Sequence, residues 1–319
     1  MLKIVFFASL GFLSTFNLNS QSIQYPYQVN YFNVTIEGNN YKMAFMDVKP
    51  QKSNGQSVLL YHGKNFNGLY WKDVISALSN AGYRVIVPDQ IGWGKSSKPK
   101  ITYTFEMLAH NSMLLLDSLQ INKINVVGHS MGGMLATRFT LMYPVKTSKL
   151  ILEDPLGLED YKKFVPPVTV QKQYEKELKA TYESYRKYQT SYYPVWKSEY
   201  EIYVKAQAEP LKQKDFASIA WVNALTYEMI YQQPVLYEFK NITVPTLIIV
   251  GEEDHTFIGK NLVEKESQKL YGNFPELADK AKEEIKNCEV IKLPGVGHIP
   301  HVQDAALFNK HLVNFLQQN

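Results

Sequence analysis

The sequence holds a single cysteine, Cys288, in 319 residues. A lone thiol excludes an internal disulfide and leaves no set of cysteines to hold a structural zinc. Cys288 reads as a small apolar residue at the start of a strand. Charge of one sign is missing too: 34 Lys plus Arg stand against 30 Asp plus Glu, and the formal charge of +4 is interspersed rather than gathered in blocks. No stretch alternates basic and aromatic residues, so nucleic acid is not an expected partner. Neither an internal repeat nor a low-complexity tract is present. The one long apolar stretch, Ile4 to Phe16, is too short for a comfortable membrane span. It follows Met1-Leu2-Lys3 and precedes the small, polar Asn17 to Ser22, which is the pattern of an export leader over residues 1–22. An exported chain without a disulfide is expected in a bacterial periplasm or outside the cell, with no stable membrane span once the leader is cleaved. What the chain does have, 45% hydrophobic and 20% charged residues, is an ordinary globular balance able to bury a large core.

Apolar runs alternate with helical patterns, which predicts an α/β fold with a mainly parallel central sheet flanked by helices. Tyr27 to Ile36 and Tyr41 to Val48 alternate polar and apolar residues around Gly38-Asn39-Asn40, predicting an antiparallel hairpin at one edge. Ser57 to Tyr61, Arg84 to Pro88, Ile124 to Val127, Lys149 to Leu152 and Thr246 to Val250 are short continuous apolar runs, as expected of strands buried on both faces. A last strand is expected over Glu289 to Leu293. Helices are expected over Tyr70 to Asn80, Phe105 to Leu119, Met131 to Met142 and about Asp304 to Leu316. From Leu156 to about Tyr237 no buried strand appears, and the segment, rich in tyrosine and charge, reads as helices inserted between two strands. The chain therefore divides into a leader (1–22), a core begun over 23–155, an insertion (156–238) and the rest of the core (239–319).

Chemistry concentrates at the strand ends. Gly128-His129-Ser130-Met131-Gly132-Gly133 lies between the run ending at Val127 and the helical pattern beginning at Met131, so a hydroxyl stands at the apex of a sharp strand-to-helix turn. Such a turn strains its apex residue and leaves no room for bulk at positions 128 and 132. The free N–H groups of the following helix favour negative charge beside that hydroxyl. This constellation resembles the nucleophile elbow of the α/β-hydrolase superfamily, in its capped, serine-nucleophile, esterase- and lipase-like branch. The likeness runs from Ser57 to Phe315, the insertion excepted. It implies that residues 156–238 form a helical cap after the sixth strand, roofing the substrate pocket.

The resemblance also implies a set of partners. His62-Gly63-Lys64 resembles the family's turn after the third strand, which implies that the backbone N–H groups of Lys64 and Met131 form an oxyanion hole. Serine needs a base to take its proton and the base needs an orienting acid. His298, in the glycine-flanked loop after the last strand, is the expected base. Asp254, after the seventh strand, is the expected acid and completes the chain order Ser, Asp, His that this fold uses. Glu252 and Glu253 are its neighbours, and Asp154, after the sixth strand beside Glu153, is the reserve acid. His301 reads as a packing or capping residue, and His110 and His311 fall within helices away from the site. Asp89-Gln90-Ile91-Gly92-Trp93-Gly94-Lys95-Ser96-Ser97 resembles the family's loop after the fourth strand, which holds a turn beneath the site. His62, Gly63, Trp93 and His129 are the expected pocket neighbours, with a structural role preferred for His62.

A serine in the elbow argues against the dehalogenases and epoxide hydrolases of this fold, which use aspartate. It fits cleavage of an ester-type bond, whether ester, thioester, lactone or amide, in a small to medium hydrophobic molecule through an acyl-enzyme, with neither metal nor organic cofactor. Carbon–carbon bond hydrolases and cofactor-free perhydrolases are alternatives, the former weakened because Ile299 stands where those enzymes often carry Trp. A ligand-binding protein that cleaves nothing is the alternative outside catalysis. Lys64 and the lysines of the insertion read as solvated charge, with an anionic substrate as the other reading.

Overall fold

The computed structural model describes residues 24–318, and the leader expected over residues 1–22 lies outside the described residues. Eight strands form one sheet in the order β1-β2-β4-β3-β5-β6-β7-β8. They are β1 (Val29–Ile36), β2 (Asn39–Val48), β3 (Ser57–Tyr61), β4 (Arg84–Pro88), β5 (Ile124–His129), β6 (Thr147–Glu153), β7 (Thr246–Gly251) and β8 (Cys288–Leu293). β1 and β2 are antiparallel, β2 joins β4 antiparallel, and every pairing from β4 to β8 is parallel.

The edge hairpin turns one residue earlier than its sequence suggests. Ile36 pairs with Asn39, so only Glu37 and Gly38 form the loop, with φ of 49° and 74°. A two-residue hairpin of type I′ has positive φ at both central positions, as here, and Asn39 and Asn40 are thereby released into the strand.

Alternation along the parallel strands sends successive side chains to opposite faces. Leu59, Val126, Leu150 and Ile248 pack in one layer with Leu108 of α2 (Phe105–Ser118), Leu135 of α3 (Met131–Met142) and Ala278 of α8 (Phe274–Glu284). Val58, Val127, Ile151 and Leu247 pack in the other layer with Val74, Ile75 and Leu78 of α1 (Lys72–Asn80) and with Phe308 and Leu312 of α10 (Ala305–Gln317). Burying one such Val, Leu, Ile or Phe contributes about 1.5–3 kcal/mol. The helix expected from Tyr70 begins as a 3-10 turn over Gly68–Trp71 before α1. The short helix α9 (Pro300–Gln303) precedes α10, whose N-cap Asp304 accepts the Leu307 N–H. Helix α8 was not among the expected helices, although Pro275 in its first turn and its amphipathic pattern mark it.

Between β6 and β7 the chain builds α4 (Val170–Glu177), α5 (Tyr182–Thr190), α6 (Glu201–Ala208) and α7 (Phe216–Gln232). Thr169 and Thr181 cap α4 and α5 by accepting N–H groups of the first turn. No helix of the described residues is long and apolar enough to cross a membrane.

Candidate active site

Parallel strands deliver their following loops to one edge of the sheet, and all of the predicted chemistry gathers there. β5 is buried throughout and ends at His129, after which Ser130 takes φ 56° and ψ −121° and α3 begins at once. Holding a non-glycine residue in such a conformation costs about 1–3 kcal/mol. The elbow offsets this with three hydrogen bonds: the Ser130 N–H donates to the Glu153 carbonyl at 3.0 Å, and the Ser130 carbonyl accepts the Gly133 N–H at 2.8 Å and the Leu156 N–H at 3.0 Å. A Cβ on Gly128 would run into the Gly132 carbonyl, and one on Gly132 into the Tyr61 carbonyl. Only glycine lets strand, turn and helix approach so closely.

His298 Nε2 lies 2.9 Å from Ser130 Oγ, and His298 Nδ1 lies 2.7 Å from Asp254 Oδ2. Three residues far apart in sequence thus form one hydrogen-bonded line, each less than a tenth exposed. Asp254 is fixed by the Thr256 N–H, which donates to Oδ1 at 2.8 Å. Glu252 and Glu253 point to solvent. Asp154, the reserve acid, is buried beside Asp254, where it accepts the Gly251 N–H at 3.0 Å. Burial, and next the neighbouring Asp254 charge, push its carboxyl well above the usual carboxylate range, and it is Asp254, not Asp154, that bonds His298 Nδ1. Asp154, Asp254 and His298 offer potential metal-ligating atoms all within 4.8 Å of one another. Both imidazole nitrogens are already committed to Asp254 and Ser130, which leaves no lone pair for an ion.

The turn after β3 presses against the hydroxyl: a Cβ on Gly63 would lie 3.2 Å from Ser130 Cβ and 3.0 Å from His129 Nδ1. No acceptor among the described residues takes the N–H of Lys64 or of Met131, the latter at the start of α3 where no intrahelical partner exists. Trp93 Nε1 donates to the Lys64 carbonyl at 2.7 Å and holds that turn in place. His62 is structural: its Nδ1–H faces the Gly63 carbonyl at 2.9 Å and its Nε2 accepts the Gln90 N–H at 3.1 Å. Asp89 accepts the N–H groups of Gly68 and Lys95, at 2.8 and 2.7 Å, and so ties the loop after β4 beneath the site.

Two buried features escaped sequence reading. Tyr70 Oη accepts the Gly63 N–H at 2.8 Å and donates to His129 Nδ1 at 3.0 Å, while His129 Nε2–H donates to the His298 carbonyl at 2.7 Å. The turn beside Ser130 and the loop bearing His298 are thereby joined through two side chains. Burial drives His129 well below its ordinary range, consistent with a neutral ring that accepts on one nitrogen and donates on the other. Glu153, fully buried, accepts both the backbone N–H and the Nδ1–H of His301 at 2.8 Å. The His301 ring stacks on Trp71 with centroids 4.2 Å apart. Burial lifts Glu153 to about 7 and lowers His301 to about 3, so the imidazole is neutral. A glutamate in an apolar strand end and a histidine after Pro300 gave no sign in the chain that they would meet.

A cavity of about 840 Å³ opens between the inserted helices and the sheet edge. Of the expected pocket neighbours, Trp93 lines it; His62, Gly63 and His129 do not, because they are packed wholly within the protein. Ser130 and His298 do not line the cavity, and Lys64 and Asn65, which follow Gly63 in the turn packed against Ser130, do. Asn65 Nδ2 donates to Tyr192 Oη at 2.8 Å, and the Tyr192 ring lies 4.9 Å from that of His298. Lys64 corrects the expectation of solvated charge: its side chain is half-buried and opens into this cavity.

Residues 56–305 match the family of the alpha/beta hydrolase fold, and the chain belongs to that family. A probable hydrolytic enzyme from Pseudomonas aeruginosa PAO1 superposes with a TM-score of 0.91 at 41% identity, covering 92% of this chain and 96% of that one. The enol-lactonase of Burkholderia xenovorans LB400 superposes with a TM-score of 0.69 at 20% identity, covering 90% of this chain and all of that one, and shares the fold. A 2-hydroxy-6-oxononadienedioate/2-hydroxy-6-oxononatrienedioate hydrolase of Burkholderia vietnamiensis is 35% identical over 128 residues, 38% of this chain and 43% of that protein. The match to an uncharacterized protein of Mycobacterium tuberculosis, 36% identical over 105 residues, covers 33% of this chain and 30% of that protein. The chain thus spans less than half the length of these curated relatives.

Proposed function

We propose that this protein is a serine hydrolase that cleaves an ester-type bond of a small to medium substrate through an acyl-enzyme. The observation that carries the reading is the line Ser130 Oγ, His298 Nε2, His298 Nδ1, Asp254 Oδ2, with steps of 2.9 and 2.7 Å. Ser130 attacks the acyl carbon while His298 Nε2 takes its proton, and Asp254 orients the ring and offsets the charge of the imidazolium. The carbonyl oxygen becomes an anion held by the N–H groups of Lys64 and Met131, each such donor being worth roughly 3–4 kcal/mol in the transition state. His298 then protonates the leaving group. Water repeats the sequence, losing its proton to His298, and the acid departs with Ser130 restored.

A carbon–carbon bond hydrolase is the second reading, supported by the named activity of the Burkholderia vietnamiensis relative. Ile299, fully buried and next to His298 in sequence, stands against it, since those enzymes often carry Trp at that position. A panel of nitrophenyl esters, thioesters, lactones and vinylogous 1,5-diketones on the purified protein discriminates between the two. Ser130→Ala should abolish turnover and labelling by a fluorophosphonate while the thermal unfolding profile stays cooperative. Retention of turnover by that variant refutes the proposal, and a wild-type protein that neither labels nor turns over any substrate is a binder.

A further inference from the structure

The cavity carries more positive charge than its surroundings balance. Six lysines and two glutamates line it, beside apolar and aromatic surface such as Trp93, Tyr227 and Phe257. Most of these ammonium groups are occupied. Lys98 Nζ donates to the Gly94 and Ser96 carbonyls, Lys260 Nζ to the His255 carbonyl at 2.8 Å, and Lys95 lies 4.7 Å above the Tyr25 ring. Lys176 Nζ reaches Asn261 Oδ1 at 3.3 Å. Among the described residues the ammonium groups of Lys179 and Lys64 have neither an ion-pair partner nor a hydrogen-bond acceptor, but Lys179 is exposed, whereas the Lys64 side chain is half-buried on the cavity wall, one residue from Gly63, which packs against Ser130.

We infer that this cavity takes a substrate bearing a single carboxylate, which pairs with the Lys64 ammonium while the apolar part of the molecule lies on the aromatic wall; this rests on the hydrolase reading above. The charge count near Lys64 favours one negative charge. Glu177 and Lys176 are the charged groups that act on it, the first attracting and the second repelling, so the three together carry one net positive charge. Glu177 is itself engaged, accepting the Gln173 Nε2–H at 2.8 Å. Burial holds the Lys64 ammonium below its ordinary range, and a docked carboxylate supplies the counter-charge that the site lacks. On the proposed role of the Lys64 N–H in the oxyanion hole, and with its side chain on the cavity wall, one residue would both polarise the reacting carbonyl and select the substrate.

The test compares matched esters on the purified protein: 4-nitrophenyl butyrate against mono-4-nitrophenyl glutarate, which places the carboxylate on the acyl side, and phenyl butyrate against 4-(butyryloxy)benzoate, which places it on the leaving group. One anionic ester should exceed its neutral partner in kcat/KM at least tenfold. Lys64→Met should bring that ratio to within threefold of unity, and Lys64→Arg should keep most of it. The ratio is the readout because the substitution is free to lower both rates through the oxyanion turn. Turnover of both pairs without anionic preference, or equal loss on both members in Lys64→Met, overturns this inference and leaves the hydrolase reading intact. If the wild type turns over neither pair, fluorophosphonate labelling of Ser130 judges the hydrolase reading separately, and calorimetry then decides the ligand class: 4-phenylbutyrate binding at least tenfold tighter than 4-phenylbutyramide supports the carboxylate site, and equal binding refutes it.

Discussion

Replacing Glu153 by Gln should remove a pH dependence of stability that is built into the core. The carboxyl is fully buried at the end of β6, accepts two N–H groups from His301, and is lifted by burial to about 7 from an unfolded value near 4.5. Facing it are His129 and His298, whose charges would lower it, and neither reverses the shift. Below pH 4.5 both folded and unfolded states are protonated, and the group contributes nothing to the pH slope. Between 4.5 and 7 the unfolded chain releases a proton that the folded protein keeps, so stability falls as pH rises, by about 1.4 kcal/mol per pH unit and about 3 kcal/mol across the window. Glutamine retains an oxygen for both N–H groups and cannot ionise. At roughly 2 °C per kcal/mol for a chain of this size, Glu153→Gln should match the wild type at pH 4.5 and melt about 6 °C higher at pH 8. Scanning calorimetry of both proteins at the two pH values measures the difference directly. An offset between wild type and variant that stays constant from pH 4.5 to 8 would refute the claim that the native carboxyl holds its proton.

The remaining predictions concern the site. Asp254→Asn should lower kcat about 10³–10⁴-fold on an activated ester, because the amide reverses the donor pattern at His298 Nδ1; steady-state kinetics beside an unfolding curve check it, and a loss under tenfold contradicts the role. Tyr70→Phe breaks both bonds of the brace between Gly63 and His129 and should cost about 1–3 kcal/mol of stability, with kcat reduced more than KM is raised; an unchanged kcat shows that the brace does not position the turn. Gly297→Ala should destabilise by about 1–3 kcal/mol or more, since the new methyl would overlap the Tyr192 carbonyl and approach Pro194 Cδ to 2.9 Å. A melting temperature equal to wild type would show that the inserted segment yields at no cost.

The last of these marks where sequence and structure part. Along the chain the glycines around His298 mark no more than a loop after the last strand. In the folded protein the His298 N–H donates to the Tyr192 carbonyl at 2.8 Å, and Gly297 is needed because that backbone lies so close. The elbow was legible for the opposite reason: strand, turn and helix are adjacent in sequence, so the demand for Gly128 and Gly132 is local. The edge hairpin was legible as a motif, and its register was not, since that depends on which residue pair closes first.

Amino-acid order alone determined the alternation of buried strands and helices, the place of Ser130 at an apex, and the candidates His298 and Asp254 at the ends of later strands. The first two signals are periodicity and turn chemistry, which act over a few residues, and the two candidates came from what the family resemblance implies about those strand ends. The tertiary structure decided what depends on distance between remote segments. It brought Asp254 rather than Asp154 to His298 Nδ1, paired Glu153 with His301 across 148 residues, linked Gly63 to His298 through Tyr70 and His129, and turned the Lys64 side chain into a cavity. Charge, burial and hydrogen bonding between distant residues come into being only when the sheet is assembled, and they fix the ionisation of each group there.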